Sequence, residues 1–379
     1  MKIVIAPQAY KGSITALGVA IAAEKGALKV FPDAEVIICP VADGGDGTLE
    51  TLVEGSEGEI NETNVTGPTG KRLDASWGAM GDGKTAVIEM ARSSGLALLA
   101  LDERDPLHST TFGLGEVILQ ALDQGFRNFI VGIGGSATND AGAGMAQALG
   151  VKLLDENGKK LPPGGASLDK LTEIDLSGID SRIQYCDFQI ACDVNNPLTG
   201  PEGASAVYGP QKGATPDNVK ELDMALGNFS DVVKSQLGKD VKNIPGAGAA
   251  GGLGAGMIAF LDGHLRAGVD IVLDVVELKT KMDGARLVIT GEGGMDFQTI
   301  YNKAPIGVAR LASEMNIPCF GISGMLGENY QVVHEHGLES ALSIVSGPMT
   351  LEEASSNAAV LIENSVEEAL RLIRIGMSL

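Results

Sequence analysis

A chain of 379 residues, 44% of them hydrophobic, is long enough for two domains with sizeable cores. Its formal net charge of −21 argues against nucleic acid, which needs a basic face, and against anionic membrane surfaces. Glycine is in excess, at 52 residues or about twice the usual share, and its scatter between apolar segments predicts tight loops.

In chain order, residues 2–6 read as a short apolar strand, and residues 13–30 as a helix with Ser13 as its N-cap. Residues 35–41 read as a second buried strand, and a helix starts at Thr48. Short apolar strands joined by helices imply a parallel sheet covered on both faces. From residue 59 to about 99 polar and apolar residues alternate, with turn signals at Gly67-Pro68 and Gly81-Asp82-Gly83, which predicts an antiparallel meander. A helix follows near 114–124, then a strand at 129–133 and a helix after Asp140; residues 164–250 read as loop-rich. The α/β rhythm returns after Gly251, with a helix to Leu261, a strand at 286–290, a helix at 305–315, a strand at 318–322 and a closing helix from Leu351. Two chain ends that share one pattern around a β-richer middle indicate an inserted domain. The parallel-sheet domain is placed at residues 1–56 plus 270–379, and the insert at 57–269.

Four cysteines (Cys39, Cys186, Cys192, Cys319) show no C-x-x-C spacing, and the apolar runs are too short to span a bilayer. The sequence begins on the strand-like Ile3-Val4-Ile5, so a reduced, soluble, cytoplasmic setting is expected.

In an open parallel sheet ligands sit beyond the carboxyl ends of the strands, so the loops there carry the chemistry. Three such loops are residues 7–13, 42–48 and 291–296. Together they supply Lys11, the carboxylates Asp43, Asp46, Glu292 and Asp296, and seven glycines. Phosphoryl transfer requires that mixture: a cation for the phosphates, carboxylates for Mg²⁺ or as base, and backbone that can approach closely. In the middle of the chain, residues 132–140 (Gly-Ile-Gly-Gly-Ser-Ala-Thr-Asn-Asp) lead from a strand into a helix and offer backbone N–H groups to an anion. Asp140 doubles as a helix cap there. Residues 191–198 place Asp193, Asn195 and Asn196 after an apolar pair, as a site or as an Asx-turn before Pro197.

Two familiar nucleotide patterns fail on context. Residues 78–85 spell G-x-x-x-x-G-K-T, but the flanking alternation makes them a hairpin, with Asp82-Gly83 suited to a type I′ turn. Residues 246–251 match a dinucleotide pattern without a preceding strand and read as a flexible helix lead-in. His108, His264, His334 and His336 have no zinc spacing.

At these loops the sequence resembles the two-domain bacterial glycerate kinases over essentially its whole length. The resemblance is carried by residues 40–48 (PVADGGDGT), 134–140 (GGSATND), 192–198 (CDVNNPL), 209–214 (GPQKGA) and 246–251 (GAGAAG). It implies an α/β fold, a Rossmann-like parallel-sheet domain with an inserted second α/β domain containing a mixed sheet, and an active site in the cleft between them. It also implies transfer of a phosphoryl group from ATP, with Mg²⁺, to D-glycerate, usually giving 2-phosphoglycerate. Members of that family usually carry Asp-Ser where this chain has Gln8-Ala9, Arg at Gly294, Ser at Phe297 and Gly at Asn302. A kinase for another small hydroxy acid and a ligand-binding relative without turnover are therefore the alternatives.

In the expected mechanism Asp193 orients or deprotonates the substrate hydroxyl, and Lys11 neutralises transferred charge. Asp43 and Asp296 are candidates for Mg²⁺. Gly134, Gly135, Ser136, Ala137, Thr138 and Asn139 would cradle phosphate or substrate, with Glu292 and Lys303 as further binding groups. Which loop takes ATP and which takes glycerate, and the oligomeric state, stay open.

Overall fold

A computed structural model describes residues 1–45 and 47–377, and the chain divides into two compact units. Unit one is Met1–Glu57 with Ala267–Leu379, and unit two is Gly58–Arg266.

Strands β1 (Lys2–Pro7) and β2 (Glu35–Ile38) open unit one. Unit two holds β3 (Glu59–Thr66), β4 (Arg72–Ala79), β5 (Thr85–Glu89), β6 (Asn128–Gly132), β7 (Lys152–Leu154), β8 (Glu173–Asp175), β9 (Asp187–Ala191) and β10 (His264–Arg266). The chain then completes unit one with β11 (Leu287–Met295), β12 (Cys319–Leu326) and β13 (Ser340–Ser343).

The sheet of unit one is parallel throughout, in the order β13-β12-β11-β1-β2. Counted along this unit alone the order is 2-1-3-4-5, a doubly wound arrangement. β-branched runs make these strands: Ile3, Val4, Ile5, Val288 and Ile289 are all fully buried. Helices Ala16–Val30 and Ala358–Gly376 cover one face, with Val19, Ala23, Ile362 and Leu370 meeting Ile3, Ile5, Leu287 and Ile322. Helix Ala304–Glu314 packs on β11 and β12. The first helix starts later than expected: Thr15, not Ser13, accepts the Gly18 amide at 3.1 Å. The Ser13 hydroxyl is drawn instead to the carbonyl of Ser355 at 3.0 Å.

Unit two has a mixed six-stranded sheet, β10-β9-β6-β5-β4-β3, parallel from β10 to β5 and antiparallel beyond. Its core stacks Phe129 on Phe188 at 4.6 Å and sets Trp77 edge-on to Phe126 at 5.6 Å. The expected meander stops at Glu89, because β5 pairs in parallel with β6 and the chain turns into the helical segment Ala91–Ser94. The hairpin at residues 78–85 is present, but its loop is not type I′. Only Gly83 has positive φ (66°), and Asp82 accepts the Lys84 and Thr85 amides at 2.8 and 2.9 Å. The loop-rich expectation for 164–250 is corrected most. Pro216–Leu237 is a 22-residue helix with a Thr215/Asn218 capping box, Pro216 in its first turn and Gly238 at its end.

Glycine also departs from expectation, since a share of the excess lies inside helices where elements approach closely. A Cβ on Gly26 would stand 2.3 Å from the backbone oxygen of Glu363 in the facing helix. The substitution Gly26→Ala must push the two helices apart, and overpacking of this kind costs about 1–3 kcal/mol. A urea titration should show a lower midpoint with native secondary structure retained; an unchanged midpoint would refute the close-approach account.

Candidate active site

The strand order of unit one reverses between β1 and β11, and a crevice is expected where the connections diverge. A cavity of about 770 Å³ opens there. Its polar part is formed by Gln8, Lys11, Asp43, Glu292 and Lys303, and its apolar part includes Met325, Leu326, Ile344, Val345 and Met349. The 291–295 segment is not the loop expected but a continuation of β11, with Glu292 level with Ser323 and Gly294 with Met325 of β12. It can stay extended because Gly291 presents no side chain to β12, where a Cβ would meet the Ile322 carbonyl at 2.1 Å. The loop after β2 brings Asp43 into the same cavity; its Asp46 lies outside the described residues.

The polar groups are organised by two interactions. Lys303 Nζ lies 3.0 Å from Asp43 Oδ2. Burial pushes the Asp43 carboxyl up, but Lys303, the Gly45 amide and Gln8 together hold it below the ordinary carboxylate range. Glu292 behaves oppositely. Burial raises it to about 7, and the neighbouring Asp43 and Asp296 add to this, while the Thr299 hydroxyl (2.9 Å) and Lys303 only partly offset it. Tyr10, fully buried, donates to the Ile322 carbonyl at 3.0 Å and ties the loop after β1 to β12. Asp296 accepts the Gln298 amide at 2.7 Å and caps the short turn Phe297–Ile300. The Gln8 side-chain oxygen is buried without a hydrogen-bond partner, and Phe297 is exposed.

Among the described residues no group of three or more His, Cys, Asp or Glu gathers to hold a metal ion. That does not exclude Mg²⁺, which commonly takes one or two carboxylates and completes its shell with water and phosphate oxygens. Asp43 lines the cavity and offers oxygen donors of that kind; Asp296 is not among the lining residues, and its carboxylate is turned to the Gln298 amide.

In unit two, residues 134–139 follow β6. Gly134 and Gly135 are exposed, whereas Ser136 and Ala137 are buried and Thr138 and Asn139 have no exposure at all. The side chains of Thr138 and Asn139 therefore support the loop from within: Asn139 Nδ2 donates to Ser205 at 3.0 Å. The segment 246–251, expected to be flexible, is buried structure beneath this loop. Gly251 has φ +68°, and a Cβ there would meet the Thr138 carbonyl at 2.0 Å. Asp140 is fully buried and accepts from the Thr111 amide and hydroxyl and from the Gly142 and Gly144 amides. Burial nevertheless drives its carboxyl above the ordinary range. Lys212 donates to Ser136 Oγ and the Thr138 carbonyl, both at 2.7 Å, a contact the sequence reading missed although the segment 209–214 was singled out. Asp193 lies just past β9 and is exposed. Asn196 forms no Asx-turn: its side chain donates to the Glu202 carbonyl and accepts from the Tyr208 hydroxyl at 2.7 Å. The four cysteines are free.

Glu292 makes a pH prediction. Between about pH 4.5 and 7 the folded chain keeps a proton on Glu292 that the unfolded chain has lost, so this group lowers stability as pH rises through that window. In Glu292→Gln the gain over wild type should grow by about 2–3 kcal/mol from pH 4.5 to 8, read from urea titrations. A pH-independent difference would contradict the raised value.

The sequence matches the profile of the glycerate kinase family over residues 3–374. It is 49% identical to the glycerate 2-kinase of Escherichia coli K12, over 100% of this chain and 99% of that one. It is 48% identical to the glycerate kinase of Bacillus subtilis 168, again over 100% and 99% of the two chains. A crystal structure described as a glycerate kinase 2 of Salmonella typhimurium LT2 superposes with a TM-score of 0.92 at 47% identity, covering 100% of both chains. Among the described residues no helix is long and apolar enough to cross a membrane. With a family profile spanning nearly its full length and relatives near half identity end to end, the chain belongs to the glycerate kinase family.

Proposed function

We propose that the chain phosphorylates D-glycerate with ATP, forming 2-phosphoglycerate. The observation that carries this reading is the cavity at the carboxyl ends of β1 and β11, which combines two lysines and carboxylates with an apolar wall. A nucleoside triphosphate presents the same contrast, a planar base at one end and a run of oxyanions at the other. Met325, Ile344, Val345 and Met349 suit the base, and Lys11 and Lys303 suit the phosphates.

Phosphoryl transfer forms a bond from the C2 hydroxyl oxygen of glycerate to the γ-phosphorus and breaks the bond to the β,γ-bridging oxygen, which leaves on ADP. Asp193 orients the hydroxyl and takes its proton. Lys11 neutralises the charge that shifts to the transferring group and to ADP. Asp43 would hold Mg²⁺ brought in with the phosphates, whose chemistry is to screen their negative charge. The backbone at Gly134 and Gly135 offers donors to an oxyanion, either the glycerate carboxylate or a phosphate. Lys303, already bonded to Asp43, keeps that carboxylate ionised for its role.

The test is ADP release with D-glycerate and a panel of small hydroxy acids, with the product identified by phosphorus NMR. D-glycerate should be the best acceptor and 2-phosphoglycerate the product. Asp193→Asn and Lys11→Met should each lower kcat by about 10²–10³-fold with an unchanged Tm. Turnover near the wild-type rate in Asp193→Asn would remove Asp193 from the role of base. Thermal stabilisation by glycerate without ADP release would favour a ligand-binding protein without turnover.

A further inference from the structure

Lys212 is a fully buried cation that the proposed chemistry does not use. Removing an ammonium group from water is costly unless its N–H groups find partners, and an apolar side chain of similar length would fill the same space without that cost. The partners here all belong to, or act on, one short segment. Nζ donates to Ser136 Oγ and to the Thr138 carbonyl, both at 2.7 Å, and Asp140 lies near enough to attract it. The same segment is pinned elsewhere by Ala137 N to the Ser94 carbonyl (2.9 Å) and Leu96 N to the Gly135 carbonyl (2.8 Å). Asp140 fixes its far end through the amides of Thr111, Gly142 and Gly144. The Gly135 and Thr138 carbonyls and the Ser136 and Asn139 side chains are thus bonded within the protein, while among the described residues the amides of Gly134, Gly135 and Ser136 have no protein acceptor. Gly134 and Gly135 are the exposed part of the segment.

We infer that Lys212 is a positioning residue: it holds residues 134–139 in an oxyanion-binding conformation and adds positive charge to a site whose direct donors are backbone amides. The ligand is a carboxylate or phosphate oxyanion, and its identity as part of glycerate or ATP rests on the kinase reading above. The turn that carries the lysine is built for this. Lys212 N bonds the Gly209 carbonyl at 3.0 Å and Gly213 N the Pro210 carbonyl at 3.1 Å, so the side chain leaves a closed 3-10 turn. Burial lowers the ammonium to about 7 with Asp140 opposing, so an arriving anion favours its charged form.

The experiment compares wild type, Lys212→Met and Ser136→Ala, measuring KM for D-glycerate and for MgATP separately together with kcat and Tm. Lys212→Met should raise one of the two KM values at least ten-fold and leave the other within about two-fold, with a smaller rise of the same KM in Ser136→Ala. Both KM values within two-fold of wild type, whether or not Tm falls, would overturn the inference and leave Lys212 a purely structural cation. If Lys212→Met does not fold, Ser136→Ala decides by the same criterion. If wild type does not turn over glycerate, the kinase reading falls. Calorimetric titration of the same proteins with inorganic phosphate then decides this inference independently. Binding at least ten-fold weaker in Lys212→Met, or measurably weaker in Ser136→Ala should Lys212→Met not fold, supports it; equal binding overturns it.

Discussion

Unit one depends on the parallel pairing of β1 with β11. Ile3 to Pro7 lie in register with Leu287 to Gly291, and the Thr290 hydroxyl donates to the Ala6 carbonyl at 2.7 Å across 284 positions of sequence. The fully buried Ile5 and Ile289 on this pair each contribute about 1.5–3 kcal/mol by leaving water. Because β2 lies on one side of the pair and β12 on the other, the connections diverge at its carboxyl end. The cavity with Lys11, Asp43, Glu292 and Lys303 is a consequence of that divergence. Tyr10 and Gly291 then hold the two strands' extensions close to β12, which aims Glu292 into a poorly solvated position.

Much of this was legible in the sequence, for a physical reason. Strands such as β1 and β6 are short apolar runs with no competing pattern, and Lys11 and Asp43 of the cavity stand in the loops that follow β1 and β2. The fold class followed from the same runs. Other features are present in the sequence but are masked by a competing pattern. Thr215-Pro216 with Asn218 and Gly238 is a complete set of helix boundary signals around Leu222, Leu226, Phe229 and Val233, yet the polar surface of that helix reads as loop. A third class was not legible at all. That β11 continues through Gly291–Met295 depends on the neighbouring strand, and that Thr138 and Asn139 point inward depends on segment 246–251 lying against them. Lys212 belongs there too, since one lysine in a glycine-bounded turn gives no sign of being buried.

The acidic composition sharpens the role of the cations. With 49 Asp and Glu against 28 Lys and Arg, attraction of anions cannot come from the general field of the protein. For the proposed reaction it has to be local. Lys303 pairs closely with Asp43 and helps keep it ionised, while nearby Glu292 is left with too little compensation and is raised to about 7. Two carboxylates of one cavity thus differ in character because one lysine reaches only one of them closely. In unit two the anion site proposed above would draw on backbone dipoles at Gly134 and Gly135, with the Lys212 ammonium bonded behind them.

The discontinuity of unit one also imposes an order on biosynthesis. β1 leaves the ribosome early, but its partner β11 is not made until the roughly 200 residues of unit two have been translated. At about 5–20 residues per second that is a delay of roughly 10–40 s. Throughout it Ile3, Val4 and Ile5 have one neighbouring strand at most, β2, and a bare strand edge on the other side. Unit two, contiguous in sequence, can complete its own core in that time. Until β11 is made, the nascent β1 segment therefore carries an unpaired edge that is open to mispairing.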